Sequence, residues 1–135
     1  FPTDYAIDEC AHGLSRYARI CQEAGLVPIV EPEILIDGVH EIAETAKIQE
    51  RVIVEVYKKL QDCGVMLEGT LLKPSMTVNG VDCENKASPT EVAELTVQTF
   101  ERSIPAAMPG VTFLSGGISE EDSSIFLNAI NSIER

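Results

Sequence analysis

Several common signals are missing from this chain. No apolar run in its 135 residues approaches the roughly 20 needed to cross a bilayer as a helix. The start, Phe1-Pro2-Thr3-Asp4, lacks the basic and apolar regions of a secretory signal. Basic residues are scarce: 10 Lys and Arg stand against 22 Asp and Glu, for a net charge of −12. That deficit argues against nucleic acid, whose phosphates are bound by clustered Lys and Arg, and against an anionic membrane surface. It leaves room for an anionic substrate, because a local site can carry its own field. Cys10, Cys21, Cys63 and Cys83 include no C-x-x-C pair, so the spacing of a zinc site is absent. Cys10 and Cys21 lie about three helical turns apart and share one helix face. Buried free thiols in a reducing, intracellular compartment are expected, not a disulfide. Histidine occurs only as His12, in mid-helix, and His40, near a helix start. Neither sits at a strand end, and both read as surface or capping groups, so no metal site is expected.

What is present alternates between helix and strand. Hydrophobic residues make up 44 % of the chain and charges are well mixed, as in a soluble globular domain with a sizeable core. The spacing predicts a first helix over about Asp4 to Ala24, capped by Thr3 or Asp4 and stopped by Gly25. Its apolar face reads as Ala6, Cys10, Leu14, Tyr17, Ala18 and Cys21. A strand follows at about Val27 to Glu31. A long helix then runs from Ile42 to Cys63, with Ala43, Ala46, Ile53, Val56, Tyr57 and Leu60 on one side and Gly64 closing it. Val65 to Lys73 reads as a second strand, and Met76 to Ala87 as a polar loop. Ser88-Pro89-Thr90-Glu91 is a capping box with proline in the first turn. It opens a helix to about Ser103 that Ile104-Pro105 ends. A third strand at Val111 to Leu114 and a helix from Ser119 to about Ser132 complete the order αβαβαβα.

No hairpin signal separates the strands. They are expected to run parallel through right-handed helical crossovers, in an α/β layer structure. Periodicity alone fits a doubly wound sheet or part of a (β/α)8 barrel. Three parallel strands cannot close a barrel, and their edges would be left unpaired. Phe1 falls just ahead of one helix and Arg135 just after another, with no initiator methionine. Residues 1–135 are therefore expected to form a single incomplete domain, cut from a longer protein.

In parallel α/β folds function collects at the carboxyl ends of strands, and three motifs lie there. Lys73 ends an apolar run and is followed by Pro74. Burial among apolar walls would disfavour its charged form, and a neutral lysine amine attacks carbonyl carbon to form a Schiff base. A lysine snorkelling out of a strand end is the plainer reading. Gly69, of the same strand parity, would leave room for substrate. Glu31 and Glu33 are two apart and point to one face of an extended strand, above Val27 and Ile29. Two such carboxylates repel, so one should keep its proton to higher pH and serve acid/base chemistry. Capping or bridging glutamates are the alternative. Ser115-Gly116-Gly117 precedes a helix start, where backbone N–H groups and the helix amino end favour an anion. Most Ser-Gly-Gly runs are ordinary turns.

Together these segments resemble the class I fructose-bisphosphate aldolase family. Val65 to Ser75 is similar to its active-site signature, Val27 to Leu35 to its glutamate-bearing strand, and Gly110 to Gly117 to its phosphate-binding strand. Ala18 to Gln22 and Leu127 to Asn131 agree as well. The resemblance implies a parallel (β/α)8 TIM barrel, of which these would be strands five to seven with their flanking helices. It implies that Lys73 forms the Schiff base and that Glu31 and Glu33 serve acid/base steps, Glu31 being the better candidate for direct proton transfer. Ser115 and Gly116 would bind a substrate phosphate, with Gly117 supporting the turn. The implied reaction is reversible cleavage of fructose 1,6-bisphosphate to dihydroxyacetone phosphate and glyceraldehyde 3-phosphate. It needs no cofactor and no metal, and it takes place in a homotetramer, in the cytoplasm or a plastid. The family's aspartate on strand one, lysines on strands three and four, arginine on strand eight and carboxyl-terminal tyrosine have no counterpart here. The chain alone is therefore expected to be inactive. Another Schiff-base barrel lyase and a non-catalytic aldolase-like binding or scaffold protein stay open as alternatives.

Overall fold

A computed structural model describes residues 1–134. Its elements are α1 (Asp4–Glu23), β1 (Ile29–Val30), α2 (Ile42–Asp62), a 3-10 turn (Leu67–Gly69), β2 (Leu71–Leu72), α3 (Pro89–Ser103) and α4 (Glu120–Asn131). These form two compact units, each built from three stretches of the chain.

The first unit comprises Phe1–Pro32, Arg51–Pro74 and Ser103–Phe113. β1 and β2 pair in parallel, Ile29 with Leu71 and Val30 with Leu72. On the other edge of β2, Leu72 N–H donates to Gly110 O at 3.2 Å and Thr112 N–H donates to Leu72 O at 2.9 Å. Val111 thus adds a single parallel bridge. The parallel arrangement is as expected, but the ladders are much shorter than the apolar runs. The strand read from Val65 onward does not begin until Leu71. Ahead of it the chain winds through the 3-10 turn, in which Thr70 Oγ1 donates to Leu67 O at 2.7 Å. Gln22 of α1 holds this turn from outside: its Oε1 accepts from Met66 N–H at 3.0 Å and its Nε2 donates to Met66 O at 2.8 Å.

α1 starts as expected. Thr3 Oγ1 accepts from Ala6 N–H at 3.2 Å, and Gly25 ends the helix at φ +75°, a conformation that glycine adopts without a Cβ penalty. Its buried face, however, is Ile7, Ala11, Ser15 and Ala18. Cys10, Ala6 and Tyr17 are exposed, and Cys21 is only half-buried. The stripe is turned by one residue from the expected one, and Cys10 is not a core thiol. The small side chains Ala11, Ser15 and Ala18 suit close packing, and Ser15 Oγ accepts a bond from Cys63 Sγ at 3.3 Å. The later half of α2 buries Val52, Ile53, Val56, Tyr57 and Leu60, a stripe that gains roughly 1.5–3 kcal/mol for each large side chain removed from water. Burial pushes the Tyr57 hydroxyl well above its ordinary pKa.

The second unit comprises Glu33–Glu50, Ser75–Arg102 and the residues from Leu114 onward. Its helices start on the caps expected. Glu91 N–H donates to Ser88 Oγ at 3.3 Å while Ser88 N–H donates to Glu91 Oε2 at 2.8 Å, the reciprocal capping box. Those bonds hold the Glu91 carboxyl below its ordinary pKa. Ser119 Oγ accepts from Asp122 N–H at 3.1 Å and caps α4. The stretch read as a polar loop behaves differently. Ser75, Met76, Thr77, Val78, Asn79 and Gly80 are all buried, outside any helix or strand. Gly80 closes on the loop after Glu33: its N–H donates to His40 O at 2.9 Å, and Val81 N–H donates to Ile36 O at 2.7 Å.

Candidate functional site

In the first unit the register of the ladder selects the neighbours of Lys73. Lys73 N–H donates to Val30 O at 2.7 Å, so the residue after Val30, Glu31, lies beside Lys73. Lys73 Nζ stands 3.0 Å from Glu31 Oε1. The apolar enclosure expected of this lysine is not what this unit provides. Its side chain is 36 % exposed, and the nearest charged group is a carboxylate. Val27 and Ile29, expected as an apolar floor beneath Glu31, are exposed at 65 % and 42 %. The buried residues of this segment are those of opposite parity, Pro28, Val30 and Pro32. Gly69 does not leave space for a ligand either. The space beside it is taken by the side-chain ends of Met66 and Gln22, whose Cε and Nε2 lie 2.8 Å and 3.1 Å from where a Cβ would stand.

In the second unit Glu33 meets the glycine turn. Gly116 and Gly117 have φ of +59° and +85°, the left-handed region that disfavours any residue with a Cβ. A Cβ on Gly116 would lie 3.1 Å from Leu114 Cδ1 and 3.5 Å from Glu33 Oε1, and one on Gly117 would lie 3.1 Å from Ile36 Cδ1. Ile118 N–H donates to Ser115 O at 3.1 Å, which closes the turn. Ser115 and Gly117 are exposed. Ser119, Glu120, Glu121 and Asp122 follow, and with three acids in its first turn α4 offers no place for an anion beyond the turn itself. Gly117 also borders a cavity of about 460 Å³ lined by Ile36, Val78, Val92, Ile118 and Phe126 among others. Its walls are mainly apolar, with Asn79, Lys86, Ser119 and Asp122 as the polar residues among them.

The sequence pattern put Glu31 and Glu33 on one face and missed the division between them: Glu31 and Lys73 directly follow β1 and β2, while Glu33 lies two residues beyond Glu31 in irregular chain. Glu31 goes to the amine and Glu33 to the glycine turn. It also missed Gln49, which is 1 % exposed. The only signal for Gln49 was a polar residue one turn from Ile53 on the apolar side of α2.

In the first unit a lysine and a glutamate lie side by side at the end of a parallel ladder; in the second a two-glycine turn precedes a capped helix. The sequence model of the glycolytic family described as fructose-bisphosphate aldolase class-I matches residues 1–135, and the chain belongs to that family. It is 57 % identical over 133 residues to fructose-bisphosphate aldolase, cytoplasmic isozyme 2, of Pisum sativum, covering 98 % of this chain and 37 % of that protein. With the cytosolic fructose-bisphosphate aldolase 4 of Arabidopsis thaliana it shares 55 % over 133 residues, 98 % of this chain and 34 % of that one. The fructose-bisphosphate aldolase of Plasmodium falciparum, solved in complex with TRAP and a small-molecule inhibitor, matches with a TM-score of 0.97 at 53 % identity, over 99 % of this chain and 39 % of that chain. The chain thus spans little more than a third of the length of the relatives it matches.

Proposed function

We propose that the protein carrying this chain is a class I fructose-bisphosphate aldolase that works through a Schiff base on Lys73. The observation that carries the proposal is the 3.0 Å pair of Lys73 Nζ and Glu31 Oε1 at the end of a parallel ladder, in a member of that family. The amine must shed a proton before it can attack the ketose carbonyl carbon, and Glu31 is one hydrogen bond away to receive it. Attack, followed by loss of water, gives an iminium. Its positive nitrogen takes up the electron pair of the C3–C4 bond as that bond breaks and the C4 hydroxyl proton passes to a carboxylate. Glyceraldehyde 3-phosphate leaves, the enamine is protonated at C3, and water releases dihydroxyacetone phosphate and the free amine. Glu31 and Glu33 are the carboxylates assigned to these proton transfers, Glu31 to the transfer at the amine. Ser115 and Gly116 bind a substrate phosphate through the open turn, with Gly117 setting its shape. No metal takes part.

In this reading residues 1–135 are strands five to seven of a (β/α)8 barrel with their helices, one incomplete domain of a homotetramer. The remaining strands complete the site, and the chain alone is inactive. The location is the cytoplasm, as the names of the pea and Arabidopsis relatives state for those proteins.

The test is borohydride reduction of the full-length protein with dihydroxyacetone phosphate. Mass added at the Lys73 peptide supports the reading. An unmodified Lys73 in protein that binds the phosphate overturns it, and turnover of some other ketose but not of fructose 1,6-bisphosphate would leave a different Schiff-base lyase.

A further inference from the structure

Residues 75–80 are buried but belong to no ladder, and buried backbone polar groups need partners. In the second unit side chains supply several of them. Gln49 of α2 uses both ends of its amide: Nε2 donates to Ser75 O at 2.6 Å, and Oε1 accepts from Thr77 Oγ1. Thr77 N–H donates to Thr96 Oγ1 of α3 at 3.0 Å. Ser75 Oγ accepts from Ile34 N–H at 3.2 Å, in the residue next to Glu33. Ser75 Cβ also stands 3.9 Å from the point a Cβ on Gly116 would occupy, the same point that lies 3.5 Å from Glu33 Oε1. Ser75 is therefore set against both the Glu33–Ile34 segment and the glycine turn, and Gln49 sets Ser75.

We propose that Gln49 is a positioning residue for the acid/base step: by fixing Ser75 it anchors Ile34, and so aims the Glu33 carboxylate at the glycine turn. The inference rests on the aldolase reading above. Volume alone would be served at this buried position by leucine or methionine, which are of similar size and carry no polar group to satisfy. An amide with both ends bonded fixes direction as well as space. Gln49 touches neither Glu33 nor the turn itself, so its effect passes through Ser75.

The test uses the full-length protein with Gln49→Leu and Ser75→Ala. Both variants should leave KM for fructose 1,6-bisphosphate within about twofold and lower kcat about tenfold, since the lost interaction concerns proton transfer and not substrate binding. Borohydride trapping of dihydroxyacetone phosphate on Lys73 should proceed as in the wild type. Deuterium exchange into C3 of dihydroxyacetone phosphate should slow in step with kcat. Val92→Ala, which opens a cavity in α3 without touching these bonds, should lower the thermal midpoint and leave exchange unchanged. If Gln49→Leu fails to fold, Ser75→Ala decides alone. Exchange at the wild-type rate in Ser75→Ala overturns the proposal, as does equal slowing in Val92→Ala. Absence of trapping in the wild-type protein overturns the aldolase reading and this inference with it.

Discussion

Glu31 and Lys73 each stand one residue beyond the last paired rung of the parallel ladder, Val30 with Leu72, and their charged atoms lie 3.0 Å apart. The backbone register thus determines which acid meets the amine. Both side chains are substantially exposed, at 36 % and 47 %, so the pair adds at most about 1 kcal/mol to stability. Its value is chemical.

Glu31→Gln keeps the shape and removes the proton acceptor. In the full-length protein it should lower kcat by about 10²–10⁴-fold, the usual range for a lost acid/base group, with the thermal midpoint nearly unchanged. Steady-state kinetics beside a melting curve checks this; wild-type turnover would show that Glu31 plays no part.

The capping box at α3 should respond to pH. The Glu91 carboxyl is held below its ordinary value by its bonds to Ser88, so its contribution is present above the unfolded pKa and disappears as pH falls through the lower folded one. The gap in thermal midpoint between wild type and Glu91→Ala should be full at pH 7 and shrink below about pH 4.5, the carboxyl's ordinary value. Ser88→Ala should cost about 1 kcal/mol at neutral pH.

Gly117→Ala places a Cβ at φ +85° and 3.1 Å from Ile36 Cδ1. The left-handed backbone costs roughly 1–2 kcal/mol for a residue with a Cβ, and the turn should reshape to relieve it. KM for the bisphosphate should rise about tenfold, the equivalent of 1.4 kcal/mol. Competition by inorganic phosphate should weaken in parallel, which an inhibition series would measure.

Gly80→Ala tests the closure of two loops in the second unit. Its Cβ would fall 2.3 Å from Gly38 O, a backbone atom that cannot swing aside. Overpacking of this kind costs about 1–3 kcal/mol, to be read from chemical denaturation of the full-length protein.

How much was legible in advance follows from the range of the forces involved. Thr3, Ser88, Pro89 and Ser119 announce their helices because a cap bonds to residues three positions away. The α1 stripe was misread because Cys10, Leu14 and Tyr17 offer a second apolar face beside Ile7, Ala11, Ser15 and Ala18, and only the packing surface tells the two apart. Val65 to Leu72 looks like one strand, yet Gln22, far away in the chain, bonds both polar groups of Met66, and the chain winds there into a 3-10 turn. Residues 75–80 look like a surface loop because their partners, Gln49 and Thr96, belong to helices elsewhere in the chain.

By itself the sequence determined the four helices, their caps, the alternation with parallel strands, and the residue types able to do carbonyl chemistry. Each of these depends on near neighbours or on intrinsic reactivity. Only the tertiary structure decided that Glu31 faces Lys73, that Glu33 faces the glycine turn, and that Gln49 lies buried behind Ser75. Those choices belong to bonds between distant segments, whose register and packing no local pattern encodes.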